Sequence, residues 1–179
     1  MEISRMEPFV SGDNLFTIID LDGVLCEFGR KNTLNNNFQK LAALRDIVSK
    51  SEEVVFYSSR QSPQEKGVFW KTFGPMFERQ SVTFFPFFSK RSKENLEKFV
   101  GACNPNCKVS FEINPDKKEG CTDKIFEMSC RAQEKQRKLV IIGSGPTDTK
   151  SVSEITLKMH KIGKRTENIF YFNTKHWFI

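Results

Sequence analysis

The sequence predicts an α/β protein with an open, mostly parallel sheet flanked by helices, folded as one domain over residues 1–179. Three observations carry that expectation. Apolar runs alternate with helical periodicities from residue 15 to the end, as in chains whose strands are joined through covering helices. Leu139-Val140-Ile141-Ile142 is the strongest signal of a strand buried on both faces. The run Phe16-Thr17-Ile18-Ile19 delivers Asp20 and Asp22 into a turn at Gly23, and open α/β sheets present their reactive groups just beyond the carboxyl ends of strands.

Taken in order, Leu15 to Asp20 reads as the first strand. Phe38, Leu41, Leu44 or Arg45, and Val48 recur at helical spacing, and a second strand follows at Val54-Val55-Phe56-Tyr57. Ser62-Pro63-Gln64-Glu65 combines a capping box with proline at the first helical position and predicts a helix ending at Gly74. Ser81 to Phe88 reads as a third strand, at an edge or a strand end because Pro86 cannot donate to a ladder. A short helix around Glu94–Val100, a strand at Lys108–Ile113 and a helix from Thr122 to about Gln136 precede the Leu139 strand. The last helix carries Val152, Ile155, Met159 and Ile162 on one face and stops at Gly163, and Ile169–Phe172 closes as a strand. His176 and Trp177 fall in a short tail expected to pack as a terminal plug.

With 179 residues, 38% of them hydrophobic, the chain suffices for one well-buried core and is short for two domains. No run approaches the roughly 20 apolar residues of a membrane span. The N-terminal stretch, with Glu2, Arg5 and Glu7, lacks the apolar core of a secretion signal, so an intracellular, cytoplasmic protein with no membrane partner is expected. The five cysteines are odd in number and irregular in spacing, which predicts reduced thiols over a disulfide framework. A zinc site from Cys103, Cys107, Cys121 and a histidine lacks the usual spacing, while Cys26, close to Asp22, is a candidate for oxidation. The net charge of +6 favours anionic partners such as phosphates, nucleic acid or acidic protein surfaces. Its basic residues cluster at Lys90-Arg91-Ser92-Lys93, at Lys135-Gln136-Arg137-Lys138 and around Lys158, Lys161, Lys164 and Arg165; such clusters are usually solvated helix ends.

Asp20 and Asp22, spaced i and i+2 on extended chain, point the same way, so both can meet one cation and one substrate. The second strand runs into Ser58-Ser59-Arg60, a hydroxyl pair followed by a cation. Lys124 lies near the start of the helix before the Leu139 strand, with Lys117 and Lys118 as rivals on the preceding loop. That strand leads into Gly143-Ser144-Gly145-Pro146-Thr147-Asp148, a glycine-containing loop ending on an acid.

In this order the four segments resemble the four motifs of the haloacid dehalogenase (HAD) superfamily, mostly Mg²⁺-dependent phosphohydrolases with a Rossmann-like core. The resemblance implies that Asp20 is the nucleophile that becomes an aspartyl-phosphate and that Asp22 is the general acid/base. It implies that Ser58 binds the transferring phosphoryl group, that Lys124 shields the charge of nucleophile and phosphate, and that Gly23, Ser59 and Arg60 contact substrate. Mg²⁺ is then held by Asp20, Asp22 through its carbonyl, and Asp148. Ser144 stands where the family usually has the first acid of its fourth motif, so weaker Mg²⁺ binding is expected.

About 35 residues separate Asp22 from Ser58 and about 65 separate Ser58 from Lys124, little more than the core consumes. A capless site, or one with a minimal lid from residues 89–120, is therefore expected, open to phosphomonoesters on small molecules or macromolecules. Two other classes compete: a catalytically inactive HAD-fold binding module, and a basic nucleic-acid-binding domain whose Asp pair is structural.

Overall fold

The computed structural model of the chain describes residues 2–3, 12–21, 24, 34–58, 90–113, 122–143 and 145–174. Their order is β1 (Glu2–Ile3), β2 (Leu15–Asp20), α1 (Leu34–Ser49), β3 (Ser51–Ser58), α2 (Lys90–Cys103), β4 (Lys108–Ile113), α3 (Thr122–Glu134), β5 (Leu139–Gly143), α4 (Pro146–Lys161) and β6 (Ile169–Asn173). The strands form one six-stranded sheet in the order β1-β6-β5-β2-β3-β4, and every pair is parallel. The two-residue edge strand β1, paired Glu2 to Tyr171 and Ile3 to Phe172, has no counterpart in the sequence pattern because it is too short to show a period.

Without β1, the order β4-β3-β2-β5-β6 is the doubly wound, Rossmann-like arrangement in which the chain builds outward from the first core strand on one side and then on the other. β2 and β5 are buried along their whole length, which explains their nearly unbroken apolar sequences. Side-chain alternation divides the sheet into two faces. Ile19, Val54, Phe56, Val140, Ile142 and Phe172 pack with Leu44, Ile47 and Val48 of α1 and with Leu96 and Val100 of α2. Phe16, Ile18, Val55, Tyr57, Ile141 and Tyr171 pack with Ile125, Met128 and Ala132 of α3 and with Val152, Ile155 and Met159 of α4.

Helix ends follow local chemistry. At the end of α4, Gly163 takes φ +69°, the Lys164 amide donates to Met159 O at 2.9 Å and the Gly163 amide to His160 O at 3.0 Å, a Schellman closure. That closure corrects one expectation: Ile162, read as part of the buried stripe, is the capping residue and is 52% exposed. α3 closes the same way, Arg137 N to Ala132 O at 2.7 Å and Gln136 N to Gln133 O at 3.0 Å, but Gln136 occupies the left-handed position at φ 54°. The helix therefore stops two residues before the expected Gln136, which instead makes the turn.

Residues 90–113 of the segment considered as a lid form α2 and the edge strand β4. The expected helix from Ser62 to Gly74, the strand at Ser81–Phe88 and the tail with His176 and Trp177 lie outside the described residues. The basic cluster at 135–138 is paired: Lys135 and Arg137 meet Glu52 at 2.8 and 3.5 Å, and Lys138 stands over the Phe170 ring. Nearby, the buried Glu53 receives Arg131 through two hydrogen bonds of 2.6 and 3.2 Å, and the guanidinium lies over Phe16. Cys103, Cys107 and Cys130 are free thiols. Burial, reinforced by the neighbouring Glu53 charge and Cys103, pushes Cys107 up to about 11 against the opposing pull of a hydrogen bond at Val54, so it stays a thiol at neutral pH.

Candidate active site

In this strand order the topological switch point lies between β2 and β5, where successive connections leave in opposite directions, the place at which open α/β sheets bind ligands. Asp20 is the last residue of β2 and stands at that point. The registers carry a row of residues along the same edge: Glu112 of β4 pairs with Tyr57 of β3, Tyr57 pairs with Asp20, and Gly143 of β5 pairs with Asn173 of β6. Ile19 pairs with Ile142, which brings Asp20 alongside Gly143. Period-two alternation turns the row toward the face covered by α3 and α4, because Ile18, Val55, Ile141 and Tyr171 all pack there.

Asp148 enters this row from above. It is the third residue of α4, and its side chain reaches back to the Gly145 amide, which donates to Oδ2 at 3.1 Å. This is the return arm of a capping box, made by an acid in the first turn, where the helix dipole also favours it. Pro146 at the first helical position has no amide to satisfy and fixes the entry of the chain. The carboxylate lies so close over β5 that a Cβ at Gly143 would stand 2.6 Å from Oδ2 and 2.7 Å from Cγ. Gly143 is therefore required by space.

Tyr57 donates its hydroxyl to Asp148 Oδ1. β3 and β5 flank β2, so this bond crosses the end of β2 at the level of Asp20. Both of the chain's tyrosines meet the first turn of α4: the Tyr171 hydroxyl lies 3.3 Å from Thr149 Oγ1. Asp20 and Asp148 are only 7% and 6% exposed, so two carboxylates are buried near the switch point, one at the end of β2 and one in the first turn of α4 over Gly143.

Lys124 lies in the first turn of α3, as the sequence predicts, with its ammonium 3.0 Å from Glu127 and 3.6 Å from Glu112. Burial alone favours its neutral form, but the Glu127 hydrogen bond and the charges of Glu127, Glu112 and Glu53 outweigh it and raise its pKa. It is therefore a fixed cation beside the end of β4. Ser58 is the last residue of β3. Asp22, Gly23, Ser59, Arg60 and Ser144 lie outside the described residues.

Among the predicted residues, the structure places Asp20 at the end of β2 and Asp148 over Gly143 of the adjoining β5. Sequence reasoning missed Tyr57 and Gly143. The signal for Tyr57 was its place immediately before Ser58, at the carboxyl end of a strand whose alternation it shares with Val55. Among the described residues, no three His, Cys, Asp or Glu side chains form a metal cluster. Two hard carboxylates at a strand-end crevice nevertheless suit Mg²⁺, which takes one or two from protein and keeps several waters. No protein-family model matches this chain, and no curated protein does either. What the site can do must therefore be taken from its own residues.

Proposed function

We propose that the chain is a Mg²⁺-dependent phosphohydrolase of the haloacid dehalogenase type, acting on phosphomonoesters through an aspartyl-phosphate on Asp20. The observation that carries this reading is a buried Asp20 at the end of the central strand, at the switch point, beside a second buried carboxylate, Asp148. Asp20, the carbonyl of Asp22 and Asp148 are the residues to hold Mg²⁺. The ion, when bound, offsets the repulsion between a carboxylate nucleophile and a phosphate dianion.

In the first step an Asp20 carboxylate oxygen bonds to phosphorus as the ester P–O bond breaks, and Asp22 gives its proton to the leaving oxygen. In the second, Asp22 takes a proton from water, the resulting oxygen attacks phosphorus, and Asp20 leaves as carboxylate. Ser58 is assigned to the phosphoryl oxygens, Gly23, Ser59 and Arg60 to substrate contact, and Lys124 to charge compensation. The net charge of +6 supports anionic substrates, including phosphates carried on macromolecules.

The test is p-nitrophenyl phosphate hydrolysis with and without Mg²⁺ by wild type, Asp20→Asn and Asp22→Asn, each shown to be folded by circular dichroism. Mg²⁺-dependent turnover lost in both variants is expected. A second reading is a non-catalytic binding module, favoured by the hydrogen bonds that both oxygens of Asp148 already accept from within the protein. It predicts no turnover and a stability indifferent to millimolar Mg²⁺.

A further inference from the structure

Two hydrogen bonds to Asp148 differ in kind. The Gly145 amide belongs to the helix that carries Asp148, and any acid at this capping position would find it. The Tyr57 hydroxyl comes from β3, two strands away from β5 across the sheet, and reaches over the end of β2 to Oδ1. No local rule of helix capping requires it. Its effect is to tie the first turn of α4 to the strand that also ends in Ser58, with Asp20 between them.

We infer that Tyr57 is a positioning residue for Mg²⁺ binding, holding Asp148 over Gly143 beside the end of β2 so that the carboxylate can serve as a metal ligand. The inference rests on the phosphohydrolase reading above and adds a residue that reading does not use. A carboxylate offers about four lone-pair sites, so donation from Tyr57 does not by itself bar Asp148 from ligating a metal ion. Hydrogen bonds of this sort orient metal-binding carboxylates, and their removal typically weakens metal binding by about 10–100-fold. With Ser144 in the place of the family's usual acid, Asp148 is the acid this loop contributes to the site. Its orientation then matters more than in a loop with two.

The experiment titrates Mg²⁺ against the thermal unfolding of the full chain for wild type, Tyr57→Phe and Tyr171→Phe. Tyr171→Phe is the control, because its hydroxyl meets the same turn of α4 at Thr149. Expected is Mg²⁺-linked stabilisation of the wild type, an apparent Mg²⁺ affinity at least tenfold weaker in Tyr57→Phe, and less than a twofold change in Tyr171→Phe. Stabilised wild type with Tyr57→Phe within twofold of it, or with both variants weakened alike, overturns the inference and leaves the phosphohydrolase reading standing. Wild type with no response to Mg²⁺ overturns the metal reading and this inference with it. Because Tyr57→Phe can compromise folding, a second measurement reads the response in the wild type. The chain has two tyrosines, so ¹³Cζ-tyrosine labelling gives two signals, assigned through Tyr171→Phe. Mg²⁺ should shift the Tyr57 signal and leave Tyr171 in place; an unmoved Tyr57 signal at saturating Mg²⁺ refutes the inference.

Discussion

Replacing Gly143 by alanine should damage this site through space alone. The new Cβ would stand 2.6 Å from Asp148 Oδ2 and 2.7 Å from its Cβ and Cγ, where ordinary contact begins near 3.4 Å, so the carboxylate must retreat by about 0.7–0.8 Å. That movement lengthens the 3.1 Å bond from the Gly145 amide beyond hydrogen-bonding range and strains the bond from Tyr57. Weakening hydrogen bonds to a charged group costs ~1.5–3 kcal/mol each when complete. Overpacking adds ~1–3 kcal/mol. The lower chain entropy of alanine in the unfolded state returns ~0.4–1 kcal/mol. A net loss of about 3 kcal/mol follows, or about 6–12 °C in Tm for a domain of this size. Urea unfolding followed by circular dichroism, with and without millimolar Mg²⁺, measures both the loss and the Mg²⁺ linkage. If Gly143→Ala is as stable as wild type, Asp148 does not lie over β5 and the site is built differently.

Three further predictions concern the scaffold. Burial alone would raise the Glu53 carboxyl, but its bond to Arg131 and the charges of Arg131, Lys108 and Lys124 together outweigh it and hold the group below 4.5. Its contribution is therefore complete above pH 4.5 and lost as pH falls through the folded-state value; acid unfolding should show this loss in wild type and lack it in Glu53→Gln. A double-mutant cycle of Glu53→Gln with Arg131→Ala should give a coupling of about 2 kcal/mol, less than for a fully buried pair because Arg131 is 30% exposed. Gln136→Gly should raise stability by about 1 kcal/mol in the same urea assay, since Gln136 holds φ 54° at the end of α3; an unchanged midpoint contradicts the closure described there.

The sheet was legible in the sequence because its central strands β2 and β5 are buried on both faces and therefore nearly all apolar. Leu15–Asp20 and Lys108–Ile113 were readable with their full bounds, and Leu139 to within one residue at its end. Asp20 was readable as a strand-end residue because a charge that follows such a run has nowhere to go but the strand end. The contact of Tyr57 was not readable, since its partner is set by which strand lies between β3 and β5, a property of topology that no local pattern carries. Gly143 read as a loop glycine, whereas the structure shows a glycine kept small by the side chain above it. Ile162 misled because the helical spacing ran on to the capping residue, one past the last helical residue, where the closure at Gly163 leaves it exposed.

The central claim is a covalent phosphate on Asp20. Wild type incubated with acetyl phosphate and Mg²⁺, quenched in acid, reduced with borohydride and digested for mass spectrometry should yield homoserine at position 20, absent from Asp20→Asn and from samples without Mg²⁺. Unmodified Asp20 in folded protein under these conditions, or modification at another carboxylate, contradicts the account.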